Sequence, residues 1–170
     1  MIFPEIHSDR FILRCLDPLK DYFNYLTWLT NPKDYPFIES AKTNYSSEEL
    51  VSYLTVINNS MNAIQFGIFT KDSGIHIGNI KFHEINASKF SAFVGFLIGD
   101  KNWQGRGVAL EVFGSASKFL RDELGVDTFY LGVSKKNFPA LKSYLKMGFK
   151  ESQNKIGLVN SDSIFMELKI

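Results

Sequence analysis

The sequence predicts an α/β (α+β) fold: a mixed, mostly antiparallel central sheet of six to seven strands, flanked by about four helices. Two segments of helical period are followed by three β-rich runs separated only by short polar turns, the layout of an antiparallel meander. After Gly99 the order changes, and a glycine-bearing loop opens a helix that leads into a strand rich enough in β-formers to be central. The size fits one domain: 170 residues, 45% hydrophobic and 22% charged, are enough to bury a core without metal or disulfide staples, so residues 1–170 are expected to fold as a unit.

Residues 10–16 start the sheet, with Phe11, Leu13 and Cys15 on one face, and Asp17-Pro18 ends the run. Over residues 19–29, Leu19, Tyr22, Phe23, Leu26 and Leu29 recur at three and four residues, an amphipathic helix closed by Asn31-Pro32. Ser46 with Glu49 three residues later is a capping-box signature, and Leu50, Leu54 and Ile57 carry that helix to about Asn58. Residues 64–70, 75–85 and 92–99 are the three β-rich runs. A helix follows from Val108 to about Leu124, with Val112, Ala116, Phe119 and Leu120 on one side and Gly125 as its stop. Residues 128–133 read as a strand, and Asn137 caps a short helix that carries Leu141, Tyr144 and Leu145 and ends at Gly148. Residues 149–153 and 163–168 read as a terminal hairpin.

A formal net charge of +1 removes any sequence-wide attraction to nucleic acid or to an anionic membrane, so neither is expected as a partner and any anion has to be bound locally. Cys15 is the only cysteine, and His7, His76 and His83 are too scattered for a metal site; no metal is expected, and a reducing, cytoplasmic setting fits. Residues 1–5 show no basic patch followed by an apolar run and no stretch of about 18 apolar residues occurs, so neither a signal segment nor a membrane-spanning helix is expected. Monomer and homodimer both remain open.

The chemistry centres on Gln104-Gly105-Arg106-Gly107-Val108-Ala109, between a strand and a helix. Two glycines permit a tight bend with N–H groups turned inward, and the helix start adds free donors and a positive dipole end, so a pyrophosphate can be held there without a basic protein. Arg106 adds one charge. The dinucleotide fingerprint lacks its third glycine, and the triphosphate loop lacks its Gly-Lys-Ser/Thr ending. Read alone, the segment is either an anion site or a glycine turn joining two elements.

The same segment resembles motif A of the GNAT superfamily of N-acetyltransferases, Gln/Arg-x-x-Gly-x-Gly/Ala, with Gln104, Gly107 and Ala109 at the fixed positions. The stretch from Asn137 through Ala140 and Tyr144 to Gly148-Phe149 is similar to that family's Asn-x-x-Ala/Ser-x-x-x-Tyr-x-x-x-Gly-Phe signature, in the expected order after the first motif. Gly78, Val94-Gly95-Phe96 and Trp103-Gln104-Gly105 further resemble the branch containing ribosomal-protein N-terminal acetyltransferases. The resemblance implies a splayed pair of strands that binds coenzyme A, acetyl-coenzyme A as cosubstrate and an amine as acceptor.

It also implies roles. Gln104, Gly105, Arg106, Gly107, Val108 and Ala109 would hold the diphosphate. Backbone groups of Leu97, Ile98 and Gly99 would pair with the pantetheine amides like an added strand. Asn137 would bond the pantetheine arm or the strand end, although it also reads as a plain helix cap, and Ala140 would help to bind the coenzyme. Lys142, one of a stripe with Lys146 and Lys150, would reach the 3′-phosphate or else form a solvated face. Tyr144 would stand near the sulfur as the acid, its other reading being a core ring. Many relatives place a glutamate where this chain has Phe93, so the base is sought in His83 or Glu84, of which alternation sends one to the cleft, or in a water relay. The aromatic residues Tyr22, Phe23, Tyr25, Trp28, Tyr35, Phe37, Tyr45 and Tyr53 fall in the region that covers the acceptor side in that fold, with amino sugars and protein N-termini as acceptor classes. The competing reading is an acyl-coenzyme A binding module that catalyses nothing.

Overall fold

A computed structural model of the chain describes residues 3–38, 45–152 and 162–170. Its elements, in chain order, are β1 (Ile6–His7), β2 (Phe11–Cys15), α1 (Tyr22–Leu29), α2 (Ser47–Asn58), β3 (Ile64–Thr70), β4 (His76–Asn86), β5 (Ser91–Ile98), α3 (Val108–Leu124), β6 (Thr128–Ser134), α4 (Phe138–Met147), β7 (Lys150–Glu151) and β8 (Ser163–Lys169). The strands form one sheet in the order β1-β2-β3-β4-β5-β6-β8-β7, antiparallel throughout except between β5 and β6.

Local signals explain most boundaries. Ser46 and Glu49 form the reciprocal capping box that starts α2. Gly125 and Gly148 end α3 and α4 in the left-handed conformation, where glycine carries no Cβ penalty. Three elements differ from the sequence pattern. The two-residue β1 brings the count to eight strands; it pairs with Leu13 and Ile12 and is too short for periodicity to mark. Helix α1 starts at Tyr22 and not at Leu19, because the Asp21 carboxylate accepts the Asp17 N–H and two Arg14 guanidinium bonds, which turns the chain there and leaves Leu19 exposed. Strand β7 is shorter than the expected run 149–153, whose last residue lies outside the described residues.

Two cores sandwich the sheet. On one face Phe11, Phe66, Phe82, Phe129 and Phe149 are fully buried together with Val112, Ala116 and Leu120 of α3. On the other, Tyr25, Trp28 and Leu29 of α1 and Leu50 and Leu54 of α2 pack over Leu16, Phe69 and Leu97. Among the described residues no helix is long and apolar enough to cross a membrane, and no three His, Cys, Asp or Glu side chains are grouped to hold a metal.

The feature that positions the site is a fork. Strands β5 and β6 pair in parallel only over Ser91↔Thr128, Ala92↔Phe129 and Phe93↔Tyr130. Beyond that, β5 stays with β4 as far as Ile98 and β6 stays with β8 as far as Ser134, so the two arms separate.

Candidate active site

The inner edge of the β5 arm is fixed by hydrogen-bond parity. The Gly99 N–H donates to the Ile77 carbonyl at 2.9 Å, and its own carbonyl accepts the Tyr35 hydroxyl at 2.5 Å. In an antiparallel ladder residues two apart turn their backbone groups the same way, so Gly95 and Leu97 bond towards β4 while Phe96 and Ile98 face the fork. Of Leu97, Ile98 and Gly99, only Ile98 therefore presents its backbone to the gap, and its carbonyl already accepts the Gln104 side-chain amide at 2.9 Å. Phe96 is the other residue of this arm whose backbone faces the gap, and sequence reading omitted it. Gly99 serves packing instead, since a Cβ there would lie 1.9 Å from the Trp28 ring.

At the end of that arm, Asp100 caps a short 3-10 turn, Lys101–Trp103, by accepting the Asn102 N–H at 2.8 Å. Gly105 and Gly107 then take φ values of 71° and 75°, and Gly107 is the N-cap of α3. The first bond into α3 runs from the Glu111 N–H to the Gly107 carbonyl at 3.1 Å. The N–H groups of residues 105–110 find no partner among the described residues, and nothing lies within 4 Å of a Cβ built on either glycine. A bend of free donors at a positive helix end, with open space before it, fits a diphosphate. The Arg106 guanidinium is exposed beside Trp103, 5.9 Å from its ring centroid. Val108 is buried and anchors the helix start, and Ala109 follows it in the first turn.

Arg10 braces the bend from the far edge of the sheet, through the Arg106 carbonyl at 3.0 Å and the Glu111 carboxylate at 2.7 Å. Burial works most strongly against the Glu111 charge. The Arg10 N–H, the Ser8 hydroxyl and the Arg10 guanidinium together outweigh it and hold that carboxyl below its usual range. Residues 8 and 10 lie about a hundred positions from Glu111, so no local pattern shows the brace.

The two faces of the fork carry different chemistry. On the α3 and α4 face, the Tyr144 ring lies 5.8 Å from Phe96 and 6.0 Å from Phe149. Desolvation pushes its phenol up to about 12, and its hydroxyl has no hydrogen-bond partner among the described residues. Helix α4 buries no residue completely: Ala140, Leu141, Tyr144 and Met147 are only partly covered, so the helix lies over the sheet without sealing it. Asn137 caps α4 by accepting the Ala140 N–H at 3.3 Å and ties it to the end of β6 through the Ser134 carbonyl at 2.9 Å. Lys142 is exposed on α4.

On the α1 and α2 face, His83 stacks on Phe93 with centroids 5.4 Å apart, and Phe93 continues to Tyr130 and Phe165 at 5.6 and 5.9 Å. Burial, then the nearby Lys81 charge, lowers the His83 imidazole below its ordinary value, while Glu84 opposes the shift. Strict alternation fails here because β4 bulges between His83 and Asn86, with Glu84 in the left-handed region at φ 50°. Glu84 is exposed and its carboxylate sits 3.8 Å from the His83 Nδ1, so His83 alone of the pair lies against the aromatic wall of the fork. Gly95 and Gly132 occupy this same face just beyond the last β5–β6 pair, both exposed, with no atom within 4 Å of an added Cβ. The opening through the sheet is thus free of side chains on this side. Strand-interior glycines and Lys81, set between Ile80 and Phe82, were the available sequence signals for this face.

The family model described as acetyltransferase (GNAT) domain matches residues 10–150. Among solved structures, the microcin C7 self-immunity acetyltransferase MccE, in complex with acetyl-CoA and AMP, superposes with a TM-score of 0.79 at 17% identity, over 96% of this chain and 94% of that one. The Vibrio cholerae spermidine N-acetyltransferase, in complex with CoA and spermine, gives 0.78 at 21% identity, over 95% and 96%. RimL, a ribosomal alpha-N-protein acetyltransferase in complex with coenzyme A, gives 0.81 at 16% identity, over 100% and 98%. At these identities the likeness is one of fold. No curated protein matches the sequence significantly.

Proposed function

The chain belongs to the family of GNAT acetyltransferase domains, and from that premise we propose that residues 1–170 form a single acetyl-coenzyme A-dependent N-acetyltransferase domain. Its acceptor is a primary amine, on a small molecule such as an amino sugar or at a protein N-terminus, and its place is in the branch of the ribosomal-protein N-terminal enzymes. The observation that carries the reading is the fork, with Tyr144 at one face, His83 at the other and a bend of free N–H groups at the end of one arm.

In this reading the N–H groups of residues 105–110 hold the coenzyme diphosphate and the Phe96–Ile98 edge takes its amide-bearing arm, which directs the thioester to Tyr144. The amine enters over Gly95 and Gly132. An alkyl ammonium is mostly protonated at neutral pH, so His83, kept neutral by burial and by Lys81, accepts one proton from it directly or through a water. The freed nitrogen pair attacks the carbonyl carbon and the C–N bond forms; the nitrogen gives its second proton to water as the C–S bond breaks, leaving a neutral amide. Sulfur departs as a thiolate that receives the Tyr144 hydrogen bond and is protonated from solvent, to which His83 returns its proton. Asn137 and Ala140 hold the start of α4 against the β6 arm.

The test is a thiol-release screen with acetyl-coenzyme A and a panel of peptide N-termini, amino sugars and polyamines, run beside calorimetry. Heat on titration together with turnover of an amine supports the enzyme. Heat without turnover of any amine leaves a binding module, and no heat at all removes the assignment.

A further inference from the structure

Lys81 projects from β4 onto the acceptor face, in register with Gln65 of β3 and Gly95 of β5, two residues before His83. It is half-buried, its ammonium 5.3 Å from the Tyr53 ring centroid, and among the described residues no carboxylate lies within 4.0 Å of it. With Tyr25, Leu29, Tyr45, Leu50 and Tyr53 it lines a cavity of about 170 Å³ between the sheet and the first two helices. Gln65 is 3% exposed; its side-chain oxygen accepts the Tyr53 hydroxyl at 2.8 Å while its Nε2 donor has no partner. The Lys81 ammonium is therefore partly desolvated in this cavity, with no described carboxylate to offset it.

His83 stacks on Phe93, which in turn meets Tyr130 and Phe165; of the carboxylates near it, Glu84 is exposed and lies 3.8 Å from the His83 Nδ1, and Glu167, in register with Tyr130, is bonded to the Ser152 hydroxyl at 2.5 Å. A polyamine needs carboxylates to hold its second ammonium, and Lys81 opposes one. On the reading that this chain is an N-acetyltransferase, we propose that its acceptor is an amine carrying an anionic group, a carboxylate or a phosphate, which Lys81 binds while the amine lies at His83. Residues two apart on a strand are separated by about 7 Å at the backbone, so one small acceptor can reach both side chains.

Matched acceptors test this: a dipeptide against its C-terminal amide, and glucosamine 6-phosphate against glucosamine, with spermidine as the polycationic reference. The native protein is expected to favour the anionic member of at least one pair by about 30-fold in kcat/KM, the size of effect seen when a desolvated charge loses its partner. The responding pair distinguishes carboxylate from phosphate. In Lys81→Met that preference disappears, mostly through KM, while acetyl-coenzyme A still binds with unchanged heat, and Lys81→Arg restores part of it. Equal or better turnover of spermidine and of neutral amines, or an undiminished preference in Lys81→Met, overturns the charge assignment and leaves the enzyme standing. Coenzyme binding with no turnover of any amine overturns both.

Discussion

Replacing Tyr144 by Phe removes a single oxygen, and the structure sets how much activity should go with it. The hydroxyl has no protein hydrogen bond to lose, and desolvation alone holds its proton, with the phenol at about 12. A thiol titrates at about 8.5, so handing a whole proton from such a phenol to a thiolate runs roughly 3.5 units uphill, or about 5 kcal/mol. Tyr144 is therefore expected to act as a hydrogen-bond donor to the departing sulfur, short of full transfer. A bond to a charged group is worth about 1.5–3 kcal/mol, which corresponds to a kcat lower by roughly 10- to 150-fold in Tyr144→Phe. Because no native bond is broken, stability should change by less than about 0.5 kcal/mol, a shift in Tm of about 2 °C or less for a chain of this size. Thiol-release kinetics, calorimetry with acetyl-coenzyme A and a thermal melt read the three quantities separately. A kcat within threefold of the parent refutes the reasoning. So does a loss that follows coenzyme affinity or Tm, because the ring would then be serving only the core.

Two further outcomes separate the parts of the site. Gly107→Ala and Gly125→Ala place the same methyl at φ 75° and 69°, at the start and end of α3, and neither meets an atom closer than 3.8 Å, so each is expected to cost about 1 kcal/mol, or roughly 2–4 °C in Tm. Only Gly107→Ala is expected to weaken acetyl-coenzyme A binding, by about tenfold in calorimetry; equal affinities in the two variants rule out the bend as the anion site. For His83, burial and Lys81 lower the imidazole below its ordinary value against the opposing pull of Glu84, with the Phe93 ring stacked on it. A base works unprotonated, so kcat/KM should rise with pH through that lowered value and level off above about 6.5. His83→Gln should lose about 100-fold in kcat/KM and the acid limb with it; a limb that survives unmoved assigns the base to another group.

What the sequence disclosed and what it withheld divide along the range of the interactions. The α2 capping box, the left-handed stops at Gly125 and Gly148 and the span of α3 are set within four residues of chain, and they stand where the pattern put them. The start of α1 could not be read that way, because Asp21 answers to Arg14 on the preceding strand. Which residues of β5 face the fork depends on a bond between Gly99 and Ile77, so spacing alone could not separate Ile98 from Leu97 and Gly99. The bulge that turns Glu84 outward defeats a period-two argument at the very place where the base was sought. Lys81 in the sequence is one cation among nineteen; its burial under Tyr53 is set by how α2 packs on the sheet.

The fork itself is built from two wedges. On the helix face, Phe113 of α3 lies 6.0 Å from Phe96 on one arm and 5.3 Å from Phe129 at the root of the other. On the opposite face, Phe93, Tyr130 and Phe165 close the root with rings, and beyond them Gly95 and Gly132 contribute none. Acyl transfer needs the nucleophile and the leaving group at one carbonyl carbon, approached from different directions. On the proposed roles of His83 and Tyr144, which sit on opposite faces, that carbon would lie in the plane of the sheet, where a continuous ladder would put backbone. Opening the ladder after Phe93 and Tyr130 makes the space, and it leaves Phe96 on the inner edge of the β5 arm with backbone groups that no neighbouring strand can satisfy. Those groups are open to an amide-bearing chain or to water, and on the proposed function the coenzyme arm would take the place of the missing strand.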